Sequence, residues 1–121
     1  MSTRIPILRL ALVALAVCAG GGIARAQSTT LPDGTPVFQI EMKDGVVTPQ
    51  RLEVPAGRRF LIEITNSGTS PAEFESKDLK KEIGIFPGQK STMAIKRLDA
   101  GEYTFFDDFH PGSPAAILVA K

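Results

Sequence analysis

The sequence predicts an all-β fold, an antiparallel β-sandwich of seven to eight short strands. Apolar and polar residues alternate in run after run, and Gly, Pro, Asn and Asp cluster between the runs at short intervals. The one stretch of helical composition, "SKDLKKEI", is too short and too charged to hold a core.

Taken in order, the chain opens with "MSTRIPILRLALVALAVCAGGGIARAQ", where two arginines precede an apolar run that ends in small residues before Gln27. This pattern predicts a secretory signal peptide over residues 1–26, cleaved after Ala26, and so an exported, periplasmic protein. The apolar run is short for a membrane span. Residues 27–36, which include "STTLPDGTP", read as a flexible polar lead-in, and residues 37–121 as one domain. "VFQIEMK" alternates, with Phe38, Ile40 and Met42 on one face, and "DGVVTPQ" is a turn region. "RLEV" is a short strand stopped by Pro-Ala-Gly, and "RRFLIEITN" sets Phe60, Ile62 and Ile64 on one face before "NSGTSP" breaks it. "AEFES" is a short strand, "KDLKKE" a charged connection, and "IGIF" leads into the "PGQ" turn. "KSTMAIKRL", "EYTFF" and "AAILVAK" supply the remaining strands.

Cys18 lies within the signal, so the mature chain has neither a disulfide nor a thiolate ligand. Val17 stands before it, where a lipoprotein signal needs a small residue. The signal carries three arginines and no acid, which leaves 11 Lys+Arg against 13 Asp+Glu, a net −2. No basic patch or helix points to nucleic acid. The serines of "GTS" and "GQKS" lack a second histidine, and nothing in the sequence places a nucleophile beside a His-Asp pair.

The order of motifs resembles the cupredoxin family. The resemblance rests on Val47, Pro49, Leu52, the Val54-Pro55-Ala56-Gly57 turn, Ile64 and Asn66, then Pro87-Gly88, "GEYTFF", and the closing His110-Pro111 with Ala115, Ile117, Leu118 and Val119. It implies a Greek-key sandwich. More finely, "AEFE" and "FFDDFHP" resemble the EfeO-type, FtrB-like periplasmic cupredoxin-like components of bacterial ferrous-iron uptake systems. Against the family's copper loop the chain departs sharply. The first-histidine place is Ala72, the cysteine place is Asp107 and the methionine place is Ser113; His110 alone is kept. A blue electron-transfer centre needs a thiolate and is excluded.

What the fold would bring to one pole is acidic: Met42, Asp44, Glu73, Glu75, Asp107, Asp108 and His110, with Glu82 nearby. The candidate metal ligands are His110, Asp107, Asp108, Glu75, Glu73, Met42 and Glu82. Each also has an ordinary reading. Asp107-Asp108 fits a solvated turn, Glu73 and Glu75 an exposed strand face, Met42 a core position beside Ile40, and Asp44-Gly45 a turn. Carboxylates with imidazole suit Cu²⁺ and iron, and an anionic oxygen cage favours Fe³⁺ over Fe²⁺. The resemblance implies that the protein assists Fe²⁺ oxidation, in a ferroxidase-like accessory role. Its partners would be a periplasmic iron-binding protein and a membrane iron permease. Two other classes remain open: a periplasmic copper-handling protein without an iron role, and an interaction module with a vestigial loop.

Overall fold

The computed structural model describes residues 28–121, so the expected signal peptide, its cleavage point and Cys18 lie outside the described residues. The strands are β1 (Ser28–Thr30), β2 (Pro36–Lys43), β3 (Val46–Thr48), β4 (Arg51–Val54), β5 (Phe60–Asn66), β6 (Ala72–Ser76), β7 (Lys81–Ile85), β8 (Lys90–Ile95), β9 (Gly101–Asp107) and β10 (Ala116–Ala120). The all-β expectation holds, and there is no helix among the described residues. "KDLK" forms a turn between β6 and β7.

The strands divide into two sheets, one ordered β1-β2-β5-β8 with β3 also on β2, the other β4-β10-β9-β6-β7. The ten strands exceed the seven to eight expected, because two three-residue strands lie in segments rich in turn residues. One of them, β1, forms in the lead-in by pairing Ser28–Thr30 with Pro36–Phe38. The other, β3, takes Glu41–Lys43 of the same β2 strand, so β1 and β3 share one edge end to end. Most pairings are antiparallel, but β2–β5 and β4–β10 are parallel, which makes both sheets mixed. These two pairs join strands distant in sequence, and local alternation carries no information about their direction.

The inner faces follow the two-residue period. Phe60, Ile62 and Ile64 are fully buried, as expected. On β2 Phe38, Ile40 and Met42 all pack on the core as expected, although Phe38 is half-buried, and Val37 is buried outside the core cluster. Phe38 meets Phe60 edge to face at 5.6 Å. From the second sheet Leu52, Val54, Phe74, Phe105 and Leu118 complete the core, with Phe74 and Phe105 stacked at 5.2 Å. Each such side chain contributes roughly 1.5–3 kcal/mol of burial free energy, enough to fix which face of each strand points inward.

That parity positions the site. On β9, Tyr103, Phe105 and Asp107 share a face, so Asp107 points inward and is buried. On β6, Ala72, Phe74 and Ser76 point inward, and Glu73 and Glu75 outward.

Candidate metal centre

The expected pole resolves into two separate groups, one inside the loops and one on the outer face of the second sheet. The inner group begins at Asp107, whose side chain has no solvent exposure. Its Oδ1 accepts hydrogen bonds from the N–H of Glu73 at 3.0 Å and of Phe109 at 3.1 Å. Its Oδ2 accepts from His110 Nδ1 at 2.7 Å. The other ring nitrogen, His110 Nε2, lies 3.0 Å from Ser70 Oγ, and Ser70 Oγ lies 2.7 Å from Asp44 Oδ1. Asp44 Oδ1 also accepts from the backbone N–H of Thr69 and Ser70, at 2.9 and 3.0 Å. These donors, the Ser70 hydroxyl first, hold the Asp44 carboxyl below its ordinary range. The result is a polar row, Asp107–His110–Ser70–Asp44, that clasps three loops together.

Two residues that the sequence does not mark as candidate site residues build this clasp. Ser70 is one. Asn66 is the other: fully buried, it donates from Nδ2 to the carbonyls of Ser70 and Ile85 and accepts from the Gly68 N–H. The "NSGTSP" signal marks a turn but does not say which distant groups the turn will meet. Gly68 is there for close approach, since a Cβ would come within 2.7 Å of the Asp44 backbone nitrogen and 2.7 Å of its Oδ1. Gly68→Ala is therefore expected to lower stability by about 1–3 kcal/mol, read as a fall in the urea midpoint. An unchanged midpoint would show that the clasp yields freely.

Ser70, His110 and Asp107 stand in the order of a nucleophile, base and orienting acid, although the sequence offered no placed nucleophile. The arrangement does not carry acyl transfer. The Thr69 and Ser70 N–H groups, the donors an oxyanion would need, both go to Asp44, and so does the Ser70 hydroxyl.

The outer group is Glu73, Glu75 and Asp108, each able to offer a carboxylate oxygen, and these oxygens all lie within 4.8 Å of one another. Register sets this. Phe74 pairs with Asp107 and Glu75 with Phe106, and the Asp108 N–H donates to the Glu73 carbonyl at 2.9 Å, which brings Asp108 beside Glu73. Glu82 is the cross-strand partner of Glu75 on β7. Partial burial, then the charges of Glu82 and Asp108, push the Glu73 carboxyl above its ordinary value. Glu75 is raised by partial burial, then by Asp108 and Glu82. Like charges held together in this way favour a cation between them.

Of the candidate ligands, then, Glu73, Glu75 and Asp108 are brought together, with Glu82 adjoining. His110 and Asp107 bind each other and stand outside that trio. Met42 is fully buried in the hydrophobic core and is no donor to the pole, because the inner face that holds Ile40 also holds it. The residues at the family's copper-loop positions do not fit a thiolate centre. Ala72 is buried and apolar, the Asp107 carboxylate is taken up by three donors, and Ser113 Oγ packs where a Cβ on Gly45 would stand 2.7 Å away.

Comparison with known proteins agrees with this architecture. A profile described as a cupredoxin-like domain matches residues 9–120. An uncharacterized protein of Rickettsia prowazekii is 30% identical over 83 residues, covering 69% of this chain and 66% of its own length. An apo copper-binding protein solved by NMR superposes with a TM-score of 0.66 at 16% identity, over 80% of this chain and 98% of that one. A purple cupredoxin from Nitrosopumilus maritimus gives 0.52 at 21% identity, over 69% and 98%. At these identities the structural likeness is one of fold.

Proposed function

The chain belongs to the cupredoxin-like domain family, and from that premise we propose that it is an exported metal-binding protein with an oxygen-donor site on the outer sheet face. The observation that carries this reading is the convergence of Glu73, Glu75 and Asp108 within 4.8 Å. Carboxylate oxygens are hard donors and suit hard cations. Glu73, Glu75 and Asp108 would hold the ion, and Glu82 would add negative charge beside them.

The finer reading is a part in iron uptake. An anionic oxygen site gains more from Fe³⁺ than from Fe²⁺, so iron held there gives up one electron more readily to an external oxidant such as Cu²⁺ or dioxygen. The protein would thus assist Fe²⁺ oxidation before permease transport, working with a periplasmic iron-binding protein and the membrane permease. The motif resemblance supports this role. The alternative, copper handling in the periplasm with no iron role, shares the same donors and differs in the preferred ion.

Titration of the protein with Cu²⁺, anaerobic Fe²⁺ and Fe³⁺, followed by calorimetry and absorption, tests the reading. A colourless or pale copper form is expected, since the mature chain has no cysteine. His110→Ala is expected to keep most of the metal binding, because both ring nitrogens are already engaged within the clasp. Loss of binding in His110→Ala with the fold intact would move the site to the inner loops and refute the outer one. Preference for Cu²⁺ with no response to iron would favour the copper-handling reading.

A further inference from the structure

A second feature lies at the edges of the two sheets. There β8, an edge strand of one sheet, and the start of β7, an edge strand of the other, border the same hollow. Between them runs a groove of about 360 Å³ lined by Leu79, Lys81, Ala94, Ile95, Lys96, Arg97 and Leu98. Its floor is apolar: Ile95 is part of the core, and Leu79 and Leu98 pack against it. Its charged lining is all cationic, although residues 28–121 carry 11 Lys+Arg against 13 Asp+Glu. The nearest acid in sequence to Leu79, Asp78, instead accepts the Thr104 N–H at 2.8 Å. Among the described residues β8 pairs with β5 alone, so every second residue of β8 turns its N–H and C=O toward the groove side.

We propose that this groove takes an extended, acidic segment of a partner protein, which adds to the free edge of β8 as a further strand. Main-chain hydrogen bonds to β8 would supply the affinity. Apolar side chains at alternate positions would meet Leu79, Ile95 and Leu98, and carboxylates between them would meet Lys81, Lys96 and Arg97. An edge strand fringed by lysine also resists self-pairing, but a guard against aggregation requires neither an apolar floor nor a cation on the other sheet, Lys81 of β7.

Two synthetic peptides test the proposal, one of alternating valine and glutamate and one of alternating valine and lysine, each eight residues long and end-capped. Both are titrated at low salt against the ¹⁵N-labelled protein. The glutamate peptide is expected to shift the amides of Lys81 and of Thr92 through Leu98 and to bind at least about tenfold tighter than the lysine peptide. Lys81→Glu with Lys96→Glu should weaken it by roughly tenfold, while Arg51→Glu, on the far edge strand β4, should leave it unchanged. Three results overturn the proposal. One is equal binding of both peptides. Another is an effect of Arg51→Glu equal to that of the groove variants. The third is binding of phosphatidylglycerol vesicles with no peptide binding, which would assign the groove to a membrane surface. Metal titration of the single variant Lys96→Glu, which leaves Lys81 in place beside Glu75 and Glu82, should match wild type, so this test stands apart from that of the carboxylate site.

Discussion

Asp107→Ala should destabilise the protein by about 3 kcal/mol, because it leaves three donors without an acceptor in a buried place. The two backbone N–H groups of Glu73 and Phe109 and the ring N–H of His110 all end on this carboxylate. A buried donor left unpaired costs roughly 1–3 kcal/mol, and the loops relax enough to recover part of the total. For a domain of this size the melting temperature should fall by about 10–20 °C. Asp107→Asn serves as the companion variant. Its side-chain oxygen still accepts from both backbone N–H groups, while its amide faces His110 Nδ1, so it should recover roughly half of the loss. The same pair separates two roles. If Asp107 were chiefly a metal ligand, Asp107→Ala would weaken metal binding and leave the apo-protein's melting temperature where it was. That outcome would sink the account of Asp107 as the anchor of the clasp.

Glu73→Gln should weaken metal binding by at least about tenfold, since even partners one shell removed from a metal are worth roughly 10–100-fold. Glu75→Gln should do likewise. Both variants should make the metal-free protein more stable at neutral pH, the opposite of Asp107→Ala. The sign follows from linkage. The carboxyls of Glu73 and Glu75 are raised above the ordinary glutamate value of 4.5, so the folded state binds more protons than the unfolded state in the range just above it. Stability contributed by these groups is therefore greatest below 4.5 and falls as pH rises through their raised values. Asp33, Asp44 and Glu53 are shifted down and act in the opposite sense at lower pH, so the wild-type profile is a sum of both. The difference between wild type and Glu73→Gln isolates the raised group. A bound cation should remove the repulsion. At a hundredfold excess over its dissociation constant it stabilises the fold by about 2.7 kcal/mol, or about 10 °C in melting temperature. Melting curves at several pH values, with and without metal, check this. Identical apo-profiles for wild type and Glu73→Gln would mean that the carboxylates do not repel one another in solution.

Much of the fold is legible in the sequence because alternation is local. Phe60, Ile62 and Ile64 declare an inner face through neighbours two residues apart, and any sheet that accepts the strand must bury that face. The same rule, carried past Phe105, predicts that Asp107 points inward and Asp108 outward. Charge hides this, because an Asp-Asp pair before a His-Pro reads as a solvated turn. Only the donors waiting inside, on Glu73, Phe109 and His110, make burial of that carboxylate tolerable, and two of them come from its own loop while the third comes from β6.

By itself, then, the sequence determined an all-β sandwich, the inward faces of its strands and the lack of any thiolate in residues 28–121. These follow from residue type and from spacings of a few positions. Only the tertiary structure decided that β2 and β5 run parallel, that His110 reaches Ser70 forty positions away in sequence, and that Glu73 and Glu75 stand with Asp108 and not with His110. The physical reason is register. The alternation of a strand states which side of the sheet a residue occupies, but its height along the sheet and its neighbours across the ladder are set by pairing with strands far away in the chain. A metal site depends on those heights, because moving one strand along its partner by two residues keeps every side chain on its face and still separates the carboxylates.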